Sequence, residues 1–242
     1  MFEDLKPHIV ELRKRLFISV LCIVVMFGIC FGFWETLLDF MTAPLKEILQ
    51  GDAKMVALQV PEVFLTAVQV AFFTGLILSL PIIFWQLWLF VSPGLYDNEK
   101  KYVIPFVLSA TFMFLIGAAF CYYVVVPTGF TFLIHFGQKL FSAMINVGDY
   151  VGFFTKLVVA FGVAFEMPVI TFFLAKIGLV DEKALKGAFR YAVVFIFIFA
   201  AIMTPPDVLS QFLMAIPLIG LYGISILVAK YANPAEKEEG KE

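Results

Sequence analysis

The residue that most clearly suggests chemistry is Glu166, the single carboxylate in the apolar stretch AFGVAFEMPVI at residues 160–170. A carboxylate near the middle of a membrane span costs about 2.5–3.5 kcal/mol on insertion scales, and such acids usually serve a function. Three uses remain open: lining a water-filled recess, relaying a proton, or docking a partner helix. The alternative is a structural acid that is hydrogen-bonded to a neighbouring helix.

Two further polar residues, Thr204 and Gln211, flank the turn between the last two apolar runs. They either face a polar pocket shared with the buried acid or form ordinary hydrogen bonds between helices. The turn itself reads TPPD. Pro205 and Pro206 lack a backbone N–H and end one helix, and Asp207 is a good N-cap for the next, so the sequence predicts a tight helical hairpin.

Two more carboxylates, Glu11 in HIVELRKR and Glu99 in SPGLYDNEKKY, lie in segments that we expect on the cytoplasmic side. Cytoplasmic segments favour cations, so membrane topology does not account for these acids. Each is either a solvated charge or part of a site for a cationic ligand. Two such carboxylates suit a pair of arginines, because a guanidinium binds a carboxylate through two parallel hydrogen bonds.

Motifs of catalytic sites are missing from the sequence. It contains no phosphate-binding GxxxxGK[ST], no HExxH zinc pair and no GxSxG elbow. Its two histidines fall on opposite sides of the predicted topology, and its three cysteines lie in apolar runs without a CxxC pair. We therefore predict no enzyme activity, no cofactor and no metal site.

The elements that hold these residues belong to an unusually apolar chain, in which 62% of the 242 residues are hydrophobic and 15% are charged. Soluble domains are nearer half apolar and about one quarter charged. The mean hydropathy of +0.98 indicates a polytopic membrane protein. The N-terminus shows no pattern of a cleavable signal peptide.

Six apolar runs reach, or nearly reach, the length of about 20 residues that a membrane-spanning helix needs. The sequence therefore predicts an all-α membrane protein, a single integral membrane domain over residues 1–242, with spans at about 16–34, 63–91, 102–127, 150–177, 189–203 and 208–229. Pro81 interrupts the second run, which we expect to tilt, to kink at Pro81 or to project beyond the bilayer. The fifth run is short and predicts local thinning of the bilayer.

The lysines and arginines orient these spans. Six spans place most of them on the side of both termini, which the positive-inside rule makes cytoplasmic. A seventh span at residues 130–147 would invert the cationic loop 176–190, so we expect apolar-faced caps at 39–49 and 130–147 on the outer side. An N-terminal amphipathic helix on the membrane is predicted by the spacing of Phe2, Leu5, Ile9, Leu12 and Leu16.

Several segments, taken in order, resemble the TatC family, which supplies the multispan receptor of the twin-arginine protein translocase. They are HIVELRKRL before the first span, TAPL at residues 42–45, FVSPGLYDNEKK after the second span, AFGVAFEMPV in the fourth and MTPPDVLSQ at the last turn. The resemblance covers nearly the whole chain, and the motifs are specific in combination. It implies a concave six-helix architecture and the binding of signal peptides that carry consecutive arginines on folded cargo proteins.

The resemblance also assigns roles to individual residues. Three match positions implicated in recognition of the arginine pair: Glu11, Arg13 and Glu99. Three match the intramembrane acid and polar positions where single-span TatA- and TatB-type subunits dock: Glu166, Thr204 and Gln211. It further implies an oligomeric complex in the lipid bilayer of a bacterial or archaeal cytoplasmic (inner) membrane, driven by the proton-motive force, with no nucleic-acid partner.

Two other functions stay open on the residues alone. An ion-coupled small-molecule transporter would use Glu166 as its proton carrier, would take up substrate without other subunits, and would have no use for Glu11 and Glu99. An intramembrane enzyme would need a nucleophile or metal set, which the histidines and cysteines would have to supply.

Overall fold

The computed structural model describes residues 2–49, 54–91, 103–137, 144–204 and 207–232. Within these ranges the chain forms eight α-helices and two short strands. The helices are α1 (Phe2–Phe31), α2 (Trp34–Ile48), α3 (Glu62–Val91), α4 (Val103–Phe120), α5 (Val126–Gly137), α6 (Val147–Lys176), α7 (Glu182–Met203) and α8 (Val208–Ala232). Strands β1 (Lys54–Val56) and β2 (Met144–Asn146) pair in parallel, with Met55 opposite Ile145.

Six helical segments in the described part of the chain are long and apolar enough to cross a membrane, and α4 and α5 together form one of them. The predicted all-α membrane fold with six spans is therefore confirmed. The candidate spans are Ile9–Phe31, Glu62–Phe90, Ile104–Phe136, Val147–Lys176, Glu182–Met203 and Val208–Ala232.

The chain divides into two compact units. Unit 1 comprises Met1–Phe112 and Phe141–Thr155, and unit 2 comprises Met113–Leu140 and Lys156–Glu242. Helices α4 and α6 each contribute their N-terminal part to unit 1 and their C-terminal part to unit 2. A single domain over the whole chain stays a prediction.

Unit 1 is built on the packing of α1 along α3. A Cβ atom at Gly75 of α3 would lie 2.7 Å from the backbone N of Phe27 on α1. Only glycine fits at this distance, so it allows the two backbones to approach closely, as small residues do between membrane helices. Edge-to-face ring pairs, Phe27 with Phe72 and Phe31 with Phe64, flank the contact at centroid distances of 6.4 Å.

A hydrogen-bonded cluster in unit 1 ties the start of α3 to the start of α6. Oε2 of Glu62 accepts from the backbone N–H of Leu58 at 2.7 Å and of Gln59 at 3.1 Å. Oε1 accepts from the N–H of Gly148 at 3.1 Å, and the Asn146 side chain also bonds to the carboxylate. We call these five residues the Glu62 cluster. It holds together segments that also pair as β1 and β2.

The third span differs from the prediction at Pro127, where a helix end was expected. Residues Cys121–Val125 form a π-helical turn, in which the N–H of Val126 donates to the carbonyl five residues earlier, and α5 then continues past the proline. Pro127 lacks an N–H and its ring crowds the carbonyl of Tyr123, so the wider turn accommodates it without ending the helix. The first part of the predicted cap at 130–147 is therefore helical.

Two other boundaries also differ, those of α1 and α7. Helix α1 is unbroken, so the predicted amphipathic helix and the first span form one element. Helix α3 continues through Pro81, as membrane helices can. Helix α7 starts at Glu182, because Oδ1 of Asp181 accepts from the N–H of Ala184 at 2.6 Å and caps the helix. With 22 residues, α7 is longer than its apolar run, on which the expectation of bilayer thinning rested.

Candidate functional site

Glu166 lies where α6 packs closely against α4 in unit 2. Gly162 precedes it by four positions, so the two residues share a helix face. A Cβ atom at Gly162 would fall 2.5 Å from the ring of Phe114, and one at Gly117 would fall 2.7 Å from the carbonyl oxygen of Phe161. The two glycines therefore let the helices approach and place the acid directly against α4.

The carboxyl group of Glu166 is buried in an apolar setting, and the residue is only 6% exposed. The ring of Phe120 packs against those of Phe161 and Phe165, each at a centroid distance of 5.7 Å. The backbone N–H of Phe114 hydrogen-bonds to the carboxyl group, but the buried Oε1 has no hydrogen-bond partner among the described residues. A buried polar atom left in this state costs about 1–3 kcal/mol, so the fold keeps an unused acceptor here.

Glu11 lies on α1, one helical turn before Arg15. Nη2 of Arg15 donates to Oε1 of Glu11 at 3.2 Å, and Nη1 donates to Oε1 of Gln86 on α3 at 3.4 Å. The Glu11 side chain stays 32% exposed. Arg13 is exposed on another face of α1, so the structure does not bring it to Glu11. Glu99 lies outside the described residues.

Thr204 and Gln211 both bond to backbone carbonyls of α7. Oγ1 of Thr204, the residue that ends α7, donates to the carbonyl of Ala200 at 2.9 Å. Nε2 of Gln211 reaches across from α8 and donates to the carbonyl of Phe197 at 3.0 Å. The Thr204 bond stays within the last turn of α7, whereas the Gln211 bond joins α8 to α7 as an ordinary interhelical hydrogen bond does. Neither bond involves Glu166.

An aspartate caps the start of α8, just after the turn from α7. Asp207 lies before the first residue of α8, and its Oδ1 accepts from the backbone N–H of Ser210 at 2.7 Å, which is the geometry of an N-cap. Pro205 and Pro206 lie outside the described residues. The cap sets the residue at which α8 begins, and therefore the direction in which the Gln211 side chain points toward α7.

Sequence reasoning missed the residues that position both acids. Arg15 was present in the motif with Glu11, and the spacing of four residues between opposite charges is the signal that could have found it. Gln86 gives no such signal, because its contact with Arg15 depends on how α1 packs against α3. Gly117 and Gly162 give no signal in the sequence either, because their role depends on how α4 packs against α6.

The described residues offer hydrogen-bonding and charged groups rather than a metal centre. Within the described ranges, no group of three His, Cys, Asp or Glu side chains is placed to hold a metal ion. The partly exposed carboxylate of Glu11 can bind a cation from water, and the buried carboxyl of Glu166 can bind a polar group that arrives from within the membrane.

Comparison with known proteins identifies what the chain is similar to. The family model for TatC, described as Sec-independent protein translocase protein, matches residues 7–217. The Sec-independent protein translocase protein TatC of Campylobacter jejuni is 61% identical, over 99% of this chain and 98% of the relative. The protein of the same name from Helicobacter pylori is 54% identical, over 98% of this chain and 92% of the relative.

A solved structure agrees with these relatives. The crystal structure of a twin-arginine translocase receptor, TatC, superimposes with a TM-score of 0.84 at 37% sequence identity. The match covers 93% of this chain and 99% of the crystallised chain. The arrangement of helices and the sequence therefore point to the same family, TatC.

Proposed function

This chain belongs to the TatC family, and from that premise we propose that it is the subunit of the twin-arginine translocase that binds signal peptides. It is a multi-pass membrane protein and a core component of a translocase that works with other Tat subunits. Its ligands are the consecutive arginines of signal peptides on folded cargo proteins. Transport draws on the proton-motive force.

One observation carries the assignment of the ligand: the Glu11 carboxylate is partly exposed and already accepts a hydrogen bond from a guanidinium, that of Arg15. The carboxylate is therefore placed to pair with arginine. A second arginine of the signal pairs with Glu99, and Arg13 contributes to the charge of the same surface. Arginine is preferred to lysine because only its planar fork makes two parallel hydrogen bonds to one carboxylate.

The docking of single-span subunits of the TatA and TatB type is the second part of the proposal. The unused Oε1 of Glu166 supports it, since a polar side chain from a partner helix would satisfy that atom. On the α7–α8 hairpin, Thr204 and Gln211 mark the other docking position. Exposed apolar residues on α7, such as Phe195 and Ile198, offer the surface that a partner helix would cover.

We place the chain in the cytoplasmic (inner) membrane of a bacterium or archaeon with both termini in the cytoplasm, as part of an oligomeric complex. The distribution of lysine and arginine supports this orientation. In this orientation Glu11 and Glu99 face the compartment in which cargo proteins fold, where a receptor for their signals must act.

The proposal is tested by the binding of a labelled signal peptide to the purified chain in nanodiscs. An Arg-Arg peptide is compared with its Lys-Lys version on the wild type, on Glu11→Ala and on Glu99→Ala. Glu47→Ala is the matched control, because it removes an exposed carboxylate from α2. We expect selective Arg-Arg binding that both site variants lose and the control keeps. Binding without selectivity, or binding indifferent to both acids, would refute the proposed site.

A further inference from the structure

Arg15 occupies the carboxylate to which the proposed ligand would bind. Its guanidinium lies between α1 and α3, where Nη2 donates to Glu11 and Nη1 donates to Gln86. The ligand assigned to Glu11 is also a guanidinium. The site therefore already contains, from its own chain, the chemical group that we propose it recognises.

The guanidinium of Arg15 is held loosely. Its bond to Glu11 is a single one at 3.2 Å, and its bond to Gln86 is 3.4 Å long, whereas charge-assisted bonds of this kind are usually about 2.7–2.9 Å. Its Nε is buried and has no hydrogen-bond partner in the part of the chain that the structure describes. Arg15 thus makes neither the two-bond fork with Glu11 nor a full set of donor contacts. An arriving arginine that forms the fork has the better geometry.

We propose that Arg15 is an internal competitor for Glu11, which a signal arginine displaces when it binds. The inference rests on the proposed function, since it concerns the same carboxylate and the same ligand. On displacement, Glu11 exchanges one guanidinium for another, and the buried Nε of Arg15 becomes free to reach water. The number of charges paired at Glu11 does not change.

Competition of this kind has a quantitative signature. Any ligand that takes Glu11 must first release Arg15, so the competitor lowers the affinity of every such ligand by the same factor. The ratio of Arg-Arg to Lys-Lys affinity is then independent of Arg15. A residue that oriented Glu11 for the fork would behave differently, because its loss would weaken Arg-Arg binding and reduce the ratio.

The test measures dissociation constants for Arg-Arg and Lys-Lys peptides on Arg15→Met and Arg15→Gln in nanodiscs. Methionine keeps an unbranched apolar stem but has no donor, and the two variants guard against a defect peculiar to one side chain. Lys14→Met is the matched control, since it removes a neighbouring, exposed positive charge from α1. Thermal unfolding of each purified variant establishes that it is folded.

We expect both Arg15 variants to bind both peptides about two- to fivefold more tightly than the wild type, with the affinity ratio unchanged, because a partly exposed pair four residues apart is a weak competitor. Lys14→Met should tighten binding by less than about twofold, through net charge alone. Equal effects at the two positions would overturn the inference, as would weaker binding or a reduced ratio in folded Arg15 variants. In those cases the wild type still selects Arg-Arg, so the proposed function stands. If the wild type shows no preference for the Arg-Arg peptide, both the inference and the proposed function are refuted.

Discussion

Glu62 and Glu166 are two carboxylates at the membrane helices whose surroundings are opposite. Glu62, at the start of α3, accepts three backbone hydrogen bonds that use both of its oxygens. Glu166, within α6, has an oxygen that is buried without a partner. The first acid completes the local structure around it. The second acid leaves one of its acceptor oxygens, Oε1, unused.

This difference separates a structural acid from one that is available for function. Hydrogen bonds from N–H groups to a charged carboxylate stabilise a fold, whereas an unsatisfied buried polar group costs about 1–3 kcal/mol. Glu62 should therefore contribute to stability, whereas Glu166 should reduce it. An acid that costs stability and persists in an apolar helix needs another role, and partner docking supplies one.

The largest effect is expected from Glu166→Ala in a cell-based export assay with a twin-arginine reporter. Export should fall at least about tenfold, because an alanine side chain offers no acceptor atom to a polar group on a partner helix. The free energy of unfolding of the purified variant should change by less than about 1 kcal/mol, because the gain from removing the unsatisfied Oε1 offsets the loss of the bond from Phe114.

Glu166→Gln refines the same experiment, because it keeps the shape and hydrogen bonding of the side chain but cannot ionise. Normal export and normal partner crosslinking in this variant would show that ionised Glu166 is not required. If Glu166→Ala instead unfolds the protein while leaving export per folded molecule intact, Glu166 is the structural acid and the contrast with Glu62 disappears.

Glu62→Ala should have the next largest effect and act on stability. Removing the carboxylate leaves the N–H groups of Leu58, Gln59 and Gly148 without their acceptor, and we expect the free energy of unfolding to fall. Denaturant or thermal unfolding in detergent measures the change. Glu47→Ala, which removes an exposed acid of α2, is the control and should change stability by less than about 0.5 kcal/mol. Equal losses in the two variants would contradict the role of the Glu62 cluster.

Gly117→Ala should have a smaller effect than Glu166→Ala and Glu62→Ala. It alters the helix packing around Glu166 but keeps the Glu166 side chain. The new Cβ atom would meet the backbone carbonyl of Phe161 at 2.7 Å, so α4 and α6 must separate, at a cost of about 1–2 kcal/mol. At Gly220 of α8 a Cβ atom has no neighbour within 4 Å, and Gly220→Ala is the control. A fall in unfolding free energy confined to Gly117→Ala is expected; similar values for both variants would argue against close packing beside the acid.

The sequence was sufficient for the features that depend on local composition. Six spans follow from runs of apolar residues as long as the membrane is thick, and the odd carboxylate of Glu166 is visible because everything near it is apolar. Asp207 was recognisable as a helix cap because capping uses only the next few residues.

The features that escaped sequence reasoning depend on contacts between distant segments or on short elements. Strands of three residues carry no readable alternation, and three of the groups that donate to Glu62 are backbone N–H groups, which no side-chain pattern encodes. The continuation of the third span past Pro127 depends on a π-helical turn that compensates for the proline. The pairing of Gly117 with α6 and of Gln86 with Arg15 appears only when the helices pack.

The Glu62 cluster also has a consequence for the order in which the protein is made. Glu62 and Gly148 are 86 residues apart in the chain, and a ribosome needs roughly 4–17 seconds to add that many residues at about 5–20 per second. During this interval the carboxylate has no Gly148 to bind, and water must hydrate it at the membrane surface. The first two spans can insert early, but the bond that ties the start of α3 to the start of α6 forms only after α6 has been synthesised. Folding of unit 1 is therefore completed only after the fourth span has been made.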